Sequence, residues 1–363
     1  MTELLSSLAA DTPVAATAPV VYALGFSWRK RALVRQFLGA ADVRFVRKPA
    51  QVPDGAHAAV WASGPFGKPA PVDASGNASG ERFRRLLMED GFLRSVGLGA
   101  DLVRPLSWVI DSRGIYYDAS RPSDLEHLLQ TGIFETPIVQ RAAALRQQLV
   151  RTGVTKYNVG ALPWRRPPQA AGKKVVLVPG QVETDAAIRL GAPGITTNMA
   201  LLQAARKAEP DAWLIYKPHP DVVAGLRNAG AQESLAAQSC DEIVSDVPMG
   251  TLLDAVDAVH VLTSLAGFEA LLRGRQVVCH GLPFYAGWGL TQDVLRVNRR
   301  SRVLSLDELV AGVLLQYPVY VSRATGRICS AEQALGELLD WRASTGNALP
   351  LWRRMLRPLL KHD

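Results

Sequence analysis

The chain has 363 residues and is 48% hydrophobic, which is enough for two globular domains and excludes a disordered or fibrous protein. Three widely separated cysteines exclude a disulfide scaffold and favour a reducing, cytosolic compartment. The net charge of +8 favours an anionic partner, and because no zinc-finger or RNA-recognition motif is present, we expect no nucleic acid among its partners.

The first half of the sequence alternates short apolar runs with an amphipathic stretch. We expect the alanine-rich leader, residues 1–18, to be disordered. The runs APVVYALGF, VRFVR and AAVWAS then predict strands, and RKRALVRQFLG predicts a helix. A glycine- and proline-rich stretch between Gly153 and Gly172 predicts the domain boundary. We therefore assign residues 19–165 to an N-terminal domain.

The second half repeats the alternation more clearly. KKVVLVPG, AWLIYKPHP and RQVVCHG predict strands, TNMALLQAARKAEP and AGFEALLRG predict helices, and MGTLLDAVDAVHVLTS predicts a helix followed by a strand. The pattern predicts an α/β protein with two Rossmann-like, doubly wound domains that face a central cleft. We assign residues 166–335 to the C-terminal domain and 336–363 to a C-terminal helix with a basic amphipathic tail.

Two segments after predicted strands carry candidate site residues. VPGQVETDAAI presents Gln181 and Asp185, and Asp185 is either a carboxylate held in the cleft or the N-cap of a helix. YKPHPDV holds His219 between two prolines, which stiffen the loop. His219 is therefore either an acid–base or phosphate-contacting residue or a structural histidine. Lys217 adds a cation suited to an anionic ligand.

TSLAGFEALLRG carries a further group of candidates. Thr263 and Ser264 place hydroxyls at a strand end, where the N–H groups of the following helix favour an anion. Glu269 lies one turn into that helix, where it either accepts hydrogen bonds from a ribose diol or is a solvated first-turn acid. The spacing predicts a nucleotide-sugar site and resembles that of GT-B glycosyltransferases.

Two further segments hold aromatic and acidic candidates. GLPFYAGWGLTQD groups Phe284, Tyr285 and Trp288, which form either a hydrophobic plug or an aromatic wall of the cleft. MEDGFLRSVGLG in the first half groups Glu89, Asp90 and Arg94 on a glycine-rich backbone. Two adjacent carboxylates there suit the binding of hydroxyl groups or acid–base work.

Six ordered motifs together resemble the capsule-polysaccharide β-Kdo glycosyltransferases of the KpsC/LipA type: EDGFLRSVGLG, PLSWVIDSRGIYYDASRPSDLE, VPGQVETDAAI, YKPHPDV, TSLAGFEALLRG and GLPFYAGWGLTQD. The resemblance runs from about Gly25 to Cys329. Members of that family often carry two modules in tandem, and this sequence has one. Its VPGQVETDAAI and YKPHPDV motifs are more similar to the C-terminal module.

The resemblance implies a GT-B fold and a retaining transfer of Kdo from CMP-β-Kdo to a Kdo-bearing glycolipid. By motif, Asp185 carries a covalent Kdo adduct in a double displacement and His219 assists it. The resemblance further implies that the donor is bound in the C-terminal domain, which here offers Gln181, Lys217, Thr263, Ser264 and Glu269. We place Glu89, Asp90, Arg94, Tyr285 and Trp288 on the acceptor side. Relatives usually have a serine where this sequence has Ala187.

The resemblance also implies partners and a location. CMP is a good leaving group, so no metal or other cofactor is expected. A cytoplasmic protein attached peripherally to the anionic inner membrane, working with other capsule biosynthesis and export proteins, is the expected setting. The alternatives are a non-catalytic assembly factor at the membrane surface and a GT-B transferase that uses another nucleotide sugar.

The C-terminal segment LPLWRRMLRPLLKHD combines leucines, a tryptophan and cations at helical spacing. It predicts either a membrane-attaching amphipathic helix or a helix that packs back on the N-terminal domain. Pro350 and Pro358 limit any helix here to a short piece.

Overall fold

Two β-sheets organise the part of the chain that the computed structural model describes, residues 19–39, 41–68, 82–95, 104–156, 158 and 160–345. The strands are β1 (Val20–Leu24), β2 (Asp42–Val46), β3 (His57–Trp61), β4 (Arg84–Asp90), β5 (Ser107–Asp111), β6 (Val175–Pro179), β7 (Trp213–Lys217), β8 (Glu242–Ile243), β9 (Ala258–Val261), β10 (Gln276–Cys279), β11 (Gln292–Asp293), β12 (Pro318–Val321) and β13 (Ile328–Cys329). The α-helices are α1 (Arg31–Leu38), α2 (Asp124–Thr131), α3 (Thr136–Thr152), α4 (Ala186–Gly191), α5 (Asn198–Ala208), α6 (Pro220–Val223), α7 (Met249–Ala255), α8 (Leu265–Leu272), α9 (Leu306–Val310) and α10 (Ala331–Thr345).

The second sheet is parallel throughout its described strands, in the order β8-β7-β6-β9-β10-β11. This is the Rossmann order, in which the chain runs outward in opposite directions from β6 and β9 and leaves a crevice at their carboxyl ends. Both strands are buried along their length, as expected for strands covered by helices on both faces. The doubly wound pattern predicted for the second half is confirmed.

The first sheet is mixed, in the order β13-β12-β5-β4-β3-β1-β2. Strands β2, β1, β3 and β4 run parallel, whereas the pairings β4–β5, β5–β12 and β12–β13 are antiparallel. Residues 318–329, which we expected in the C-terminal domain, therefore complete the sheet of the first half. Val319 and Val321 pack there with Trp108 in one apolar cluster, and burying these side chains stabilises a pairing that no local pattern predicts.

The long helix α3 leads the chain from the first half towards the second. It ends at Gly153, which adopts the left-handed conformation typical of a helix C-cap. Arg146 of α3 pairs with Asp307 of α9 at 2.7 Å, and Arg141 of α3 pairs with Glu332 of α10 at 2.6 Å. These contacts hold the middle of α3, and Arg342 of α10 donates to the carbonyl of Thr152 at 2.6 Å, which fixes the end of the helix and the start of the segment that follows.

In the described part of the chain, no helix combines the length and apolar character needed to cross a membrane. The leader at residues 1–18 and the basic tail at 349–363, for which we predicted disorder and membrane attachment, lie outside the described residues.

Candidate active site

A cavity of about 180 Å3 lies at the carboxyl ends of β6, β7 and β9, in the crevice that the strand order creates. Residues from the first half and from the segment after α3 complete its walls. Seven polar residues singled out from the sequence line it: Gln181, Asp185, Lys217, His219, Thr263, Ser264 and Glu269. The ends of neighbouring parallel strands meet at one edge of a sheet, which is why these segments converge.

Gln181 ties the loops after β6 and β9 together. Its Nε2 donates to Thr263 Oγ1 at 3.0 Å, and its Oε1 accepts from the main-chain N–H of Thr263 at 3.0 Å. The main chain of Gln181 is held in turn by the buried amide of Asn198, through two hydrogen bonds of 2.9 Å. These bonds position the two sides of the crevice relative to each other.

Asp185 occupies the N-cap position of α4, but its side chain makes no capping hydrogen bond. Its Oδ1 instead accepts from Arg227 Nη2 at 3.0 Å, and the side chain keeps 42% of its surface exposed. Burial raises the pKa of Asp185, against the opposing charges of Arg227, Lys156 and Arg189. The carboxylate is thus held at the cavity wall by an arginine rather than used as a helix cap.

His219 is fixed at the start of α6 by the two prolines on either side of it. Its Nδ1 accepts the main-chain N–H of Asp221 at 3.2 Å. Burial, with the charges of Lys156 and Arg227, lowers the pKa of His219 to about 4. The ring is therefore neutral near pH 7, and because Nδ1 accepts, the proton sits on Nε2.

Lys217 lines the cavity at the end of β7, and its ammonium also organises the protein. Its Nζ donates to the carbonyl oxygens of Ser245 at 3.1 Å and Val247 at 2.8 Å. Burial lowers the pKa of Lys217 to about 8, against the charge of Asp246. Two of the three ammonium donors are thus used by a neighbouring loop, which reduces what Lys217 can offer a ligand.

Helix α8 begins at the cavity and carries Ser264 and Glu269. Ser264 caps the helix, accepting the N–H of Ala266 at 3.3 Å. Glu269 is buried, and its Oε1 accepts the main-chain N–H of Lys156 at 2.8 Å. Burial raises the pKa of Glu269 to about 7. The alternative of a solvated first-turn acid is wrong for this residue.

Glu89, Asp90 and Arg94 lie behind the cavity wall rather than in it. Tyr117, which lines the cavity, donates through its hydroxyl to Glu89 Oε2 at 3.4 Å, and Arg94 pairs with Asp90 at 2.6 Å. Burial and the charge of Asp90 raise the pKa of Glu89 to about 7. Burial also acts to raise the pKa of Asp90, but the charges of Arg94 and Lys156 outweigh it and lower that pKa.

Tyr285 and Trp288 do not line the cavity, so their assignment to the cleft is corrected. Both are fully buried. The Tyr285 hydroxyl donates to the carbonyl of Ser264, and Trp288 Nε1 donates to the carbonyl of Phe284 at 2.8 Å. Because the Tyr285 hydroxyl and Trp288 Nε1 both donate to main-chain carbonyls in the interior, the two rings can be buried as a hydrophobic plug. Of this aromatic group, Phe284 reaches the cavity wall.

The segment after α3 supplies cavity residues that sequence reasoning missed, because it was assigned only to the domain boundary. Thr155, Lys156 and Asn158 line the cavity. Asn158 adopts a left-handed backbone with φ of 53°. Its side chain accepts from Thr155 N at 2.9 Å and donates to the carbonyls of Thr155 at 2.6 Å and Ser95 at 3.0 Å. An asparagine in a glycine-rich segment was the available signal for such a turn.

Three aromatic residues of the first half, Phe92, Tyr116 and Tyr117, were also missed as cavity residues. They come from motifs that the sequence suggested were acidic or architectural. Phe92 and Tyr116 stack edge to face, with ring centroids 4.9 Å apart. Together they give the cavity an aromatic side opposite the polar strand ends.

Within the described residues, no group of three or more histidine, cysteine, aspartate or glutamate side chains is arranged to hold a metal ion. A metal-free reaction remains a prediction.

The sequence matches the family described as capsule polysaccharide biosynthesis protein over residues 68–158 and 143–320. The chain belongs to that family. It is 44% identical over 321 residues to the capsule polysaccharide modification protein LipA of Neisseria meningitidis serogroup B, covering 86% of the chain and 44% of LipA. It is also 44% identical over 254 residues to the lipopolysaccharide-processing protein LpsZ of Rhizobium meliloti, covering 69% of the chain and 58% of LpsZ. The chain thus spans about half the length of these curated relatives.

Two solved structures of Thermosulfurimonas dismutans KpsC share the fold. The one described as a beta Kdo 2,7 transferase has a TM-score of 0.72 at 37% identity, covering 89% of this chain and 99% of that chain. The one described as a beta Kdo 2,4 transferase has a TM-score of 0.73 at 34% identity, covering 90% and 99%. The GT-B fold and the KpsC/LipA-type family inferred from the motifs are confirmed.

Proposed function

We propose that the chain is a retaining β-Kdo transferase that moves Kdo from CMP-β-Kdo to a Kdo-bearing glycolipid in capsular polysaccharide biosynthesis and export. One observation carries the proposal: Asp185 and His219 line the same cavity, at the strand ends where Rossmann-type sheets bind nucleotides. The likeness to the two KpsC transferase structures supports the choice of sugar.

The donor brings a phosphate and a sugar carboxylate, and the cavity offers cations and a helix N-terminus. We propose that Ser264 and the first N–H groups of α8 meet the phosphate, and that Glu269 meets the ribose. His219 donates from Nε2 to the phosphate or the Kdo carboxylate. Lys217 was our expected cation, but two of its donors are bound to carbonyls, so Lys156 shares this role.

The proposed chemistry is a double displacement. A carboxylate oxygen of Asp185 forms a bond to the anomeric carbon of Kdo as the bond from that carbon to the phosphate oxygen breaks, and CMP leaves with the electron pair. An acceptor hydroxyl then forms the new bond as the bond to Asp185 breaks. The hydroxyl proton passes to solvent, and the carboxylate regains its charge. Two inversions at one carbon give net retention.

We further propose that the protein works at the cytoplasmic face of the inner membrane, attached peripherally, alongside other capsule biosynthesis and export proteins. We assign no metal to the reaction, because CMP leaves as a phosphate anion that needs no protonation.

The experiment compares Asp185→Ala with Asp254→Ala. The control aspartate also bonds an arginine at 3.0 Å, to Arg273, and its side chain is 52% exposed. Asp185→Ala should abolish Kdo transfer from CMP-Kdo generated in situ and retain CMP affinity, whereas Asp254→Ala should retain transfer. Mass spectrometry of the parent with donor should find one Kdo on the peptide that contains Asp185.

Substantial transfer by Asp185→Ala would refute the nucleophile. Turnover of UDP- or GDP-sugars in place of CMP-Kdo would refute the donor. A parent protein that binds CMP but turns over no donor would favour the non-catalytic assembly factor.

A further inference from the structure

The carboxyl-terminal edge of the first sheet carries an exposed tryptophan among cations. Trp28 follows β1 and has 75% of its surface exposed, and the guanidinium of Arg29 lies 5.4 Å from its ring centroid. Arg47 and Lys48 follow β2 and are also exposed. A backbone hydrogen bond of 3.0 Å just beyond the ends of these paired strands keeps the two loops together. We call these four residues the Trp28 surface.

The surroundings of this surface are strongly positive. The sequence from 29 to 48 holds seven lysines and arginines and one acid, Asp42, which is already paired with Arg44 at 3.0 Å. On the neighbouring helix, Arg31 and Arg35 lie over the Phe45 ring at 5.0 and 4.7 Å. This charge favours an anionic partner.

An exposed indole within a cationic surface indicates the kind of anionic partner. A soluble polyanion without aromatic groups uses the cations and leaves the indole in water. A bilayer interface accommodates both, because tryptophan concentrates at the level of the lipid headgroups and cations are attracted to anionic lipids.

The Trp28 surface shares its sheet edge with the acidic pair behind the cavity. Strand β2 is three strands from β4, which at about 4.8 Å per strand is about 14 Å. Lys30 lies between them: its Nζ is 3.6 Å from the Trp61 ring centroid, and burial lowers its pKa while Asp90 and Glu89 act to raise it. A lipid anchored at this surface thus lies within reach of the acceptor side of the cavity.

We propose that the Trp28 surface docks the protein on an anionic lipid membrane and so brings a lipid-linked acceptor to the cavity. The delivery of a lipid-linked acceptor to the cavity rests on the proposed function. The docking itself does not, because it needs no donor and no turnover.

The test is sedimentation of the full chain with vesicles of phosphatidylethanolamine and phosphatidylglycerol, compared with phosphatidylcholine alone. The parent should bind the anionic vesicles, less strongly as salt rises. Each cation removed should weaken binding about fivefold, so a triple variant with Arg29, Arg47 and Lys48 replaced by glutamine should weaken it on the order of a hundredfold. Trp28→Ala should also weaken binding and leave the remainder more sensitive to salt.

A charge-matched triple variant serves as the control. Arg165, Lys173 and Lys207 are exposed and precede β6 and β7, at the opposite edge of the other sheet, and their replacement by glutamine should leave vesicle binding unchanged. Both triple variants should keep the parent's CMP affinity, which shows that the cavity is intact.

Three results would overturn the inference. One is unchanged sedimentation of the Trp28-surface variants, or an equal loss in the control. Another is loss of oligonucleotide binding by these variants with vesicle binding intact, which would assign the surface to nucleic acid. The last is complete loss of vesicle binding when residues 349–363 alone are deleted, which would make the tail the anchor. Loss of transferase activity would bear on the proposed function and not on this surface.

Discussion

Glu269→Gln tests whether a buried carboxyl at the cavity holds a proton near neutral pH. Glu269 is 7% exposed, and its Oε1 accepts the main-chain N–H of Lys156 at 2.8 Å. Burial raises its pKa to about 7, against that hydrogen bond and the charges of Arg273 and Lys156. Glutamine keeps the volume and the accepting oxygen, so the substitution removes the ionisation and little else.

The sign and size of the effect follow from the two pKa values. The ordinary value for a glutamate is 4.5, and the folded value is about 7, so between them the folded chain binds the proton more tightly than the unfolded chain. The free energy of unfolding therefore falls as pH rises through this window, and the loss is complete above the folded pKa. The difference between the two pKa values corresponds to about 3 kcal/mol.

The assay is urea unfolding at pH 4 and pH 8 for the parent and the variant. Relative to Glu269→Gln, the parent should lose about 3 kcal/mol of unfolding free energy between these pH values. Glu308→Gln is the control of opposite sign. The pKa of Glu308 is lowered, chiefly by the hydrogen bond that its carboxylate accepts from the main-chain N–H of Ser305. There the parent should gain stability over the variant as pH rises from the lowered pKa of the folded chain towards the ordinary value of 4.5, and the gain is complete just above that value. A difference between the parent and Glu269→Gln that is the same at both pH values would refute the reasoning.

Three further substitutions test other parts of the site. Asn158→Ala removes three side-chain hydrogen bonds and places alanine at φ of 53°, so it should lower the free energy of unfolding by about 2–4 kcal/mol. It should also weaken CMP binding, measured by calorimetry. Asn158→Gly should regain part of the stability, because glycine adopts this backbone conformation without strain. Tyr285→Phe should lower stability by about 1 kcal/mol and leave CMP affinity unchanged, whereas weaker CMP binding would return this residue to the cleft. Because the pKa of His219 is about 4, its ring should contribute no inflection near pH 6.5 to kcat/KM for CMP-Kdo, and any inflection that Glu269 or Glu89 causes near pH 7 should persist in His219→Gln. An inflection that vanishes in His219→Gln would contradict the neutral ring.

The strand-end residues of the second half could be found from the sequence because the signal is local. Each buried run of that half is followed directly by its polar residues, and a parallel sheet brings such ends to one edge. Asp185, His219 and Ser264 line one cavity for that reason. The side-chain partners of these residues could not be predicted from the sequence. The hydrogen bond between Arg227 and Asp185, for example, joins residues 42 positions apart, and no local sequence pattern indicates it.

What the sequence did not predict depends on contacts between distant segments. The pairing of β12 with β5 joins residues about 200 positions apart. Whether an aromatic residue faces a cleft or the core depends on where its polar atom finds a partner, and for Tyr285 and Trp288 that partner is a main-chain carbonyl. A glycine-rich boundary segment likewise hides a cavity wall, because the turn at Asn158 is held by side-chain bonds rather than by a helix or strand.

Lys156 connects the two halves of the site electrostatically. Its charge acts to lower the pKa of Asp185 and of Glu269 on one side of the cavity wall. It also acts to lower the pKa of Glu89 and of Asp90 on the other side. Under the proposed function, a donor with a phosphate and a carboxylate enters the cavity that Lys156 lines and competes for the same cation. The carboxyls behind the wall then lose part of their compensation, which favours the protonated form of Glu89, whose pKa is already about 7. Under the proposed function, we therefore expect donor binding to raise the pKa of Glu89 further.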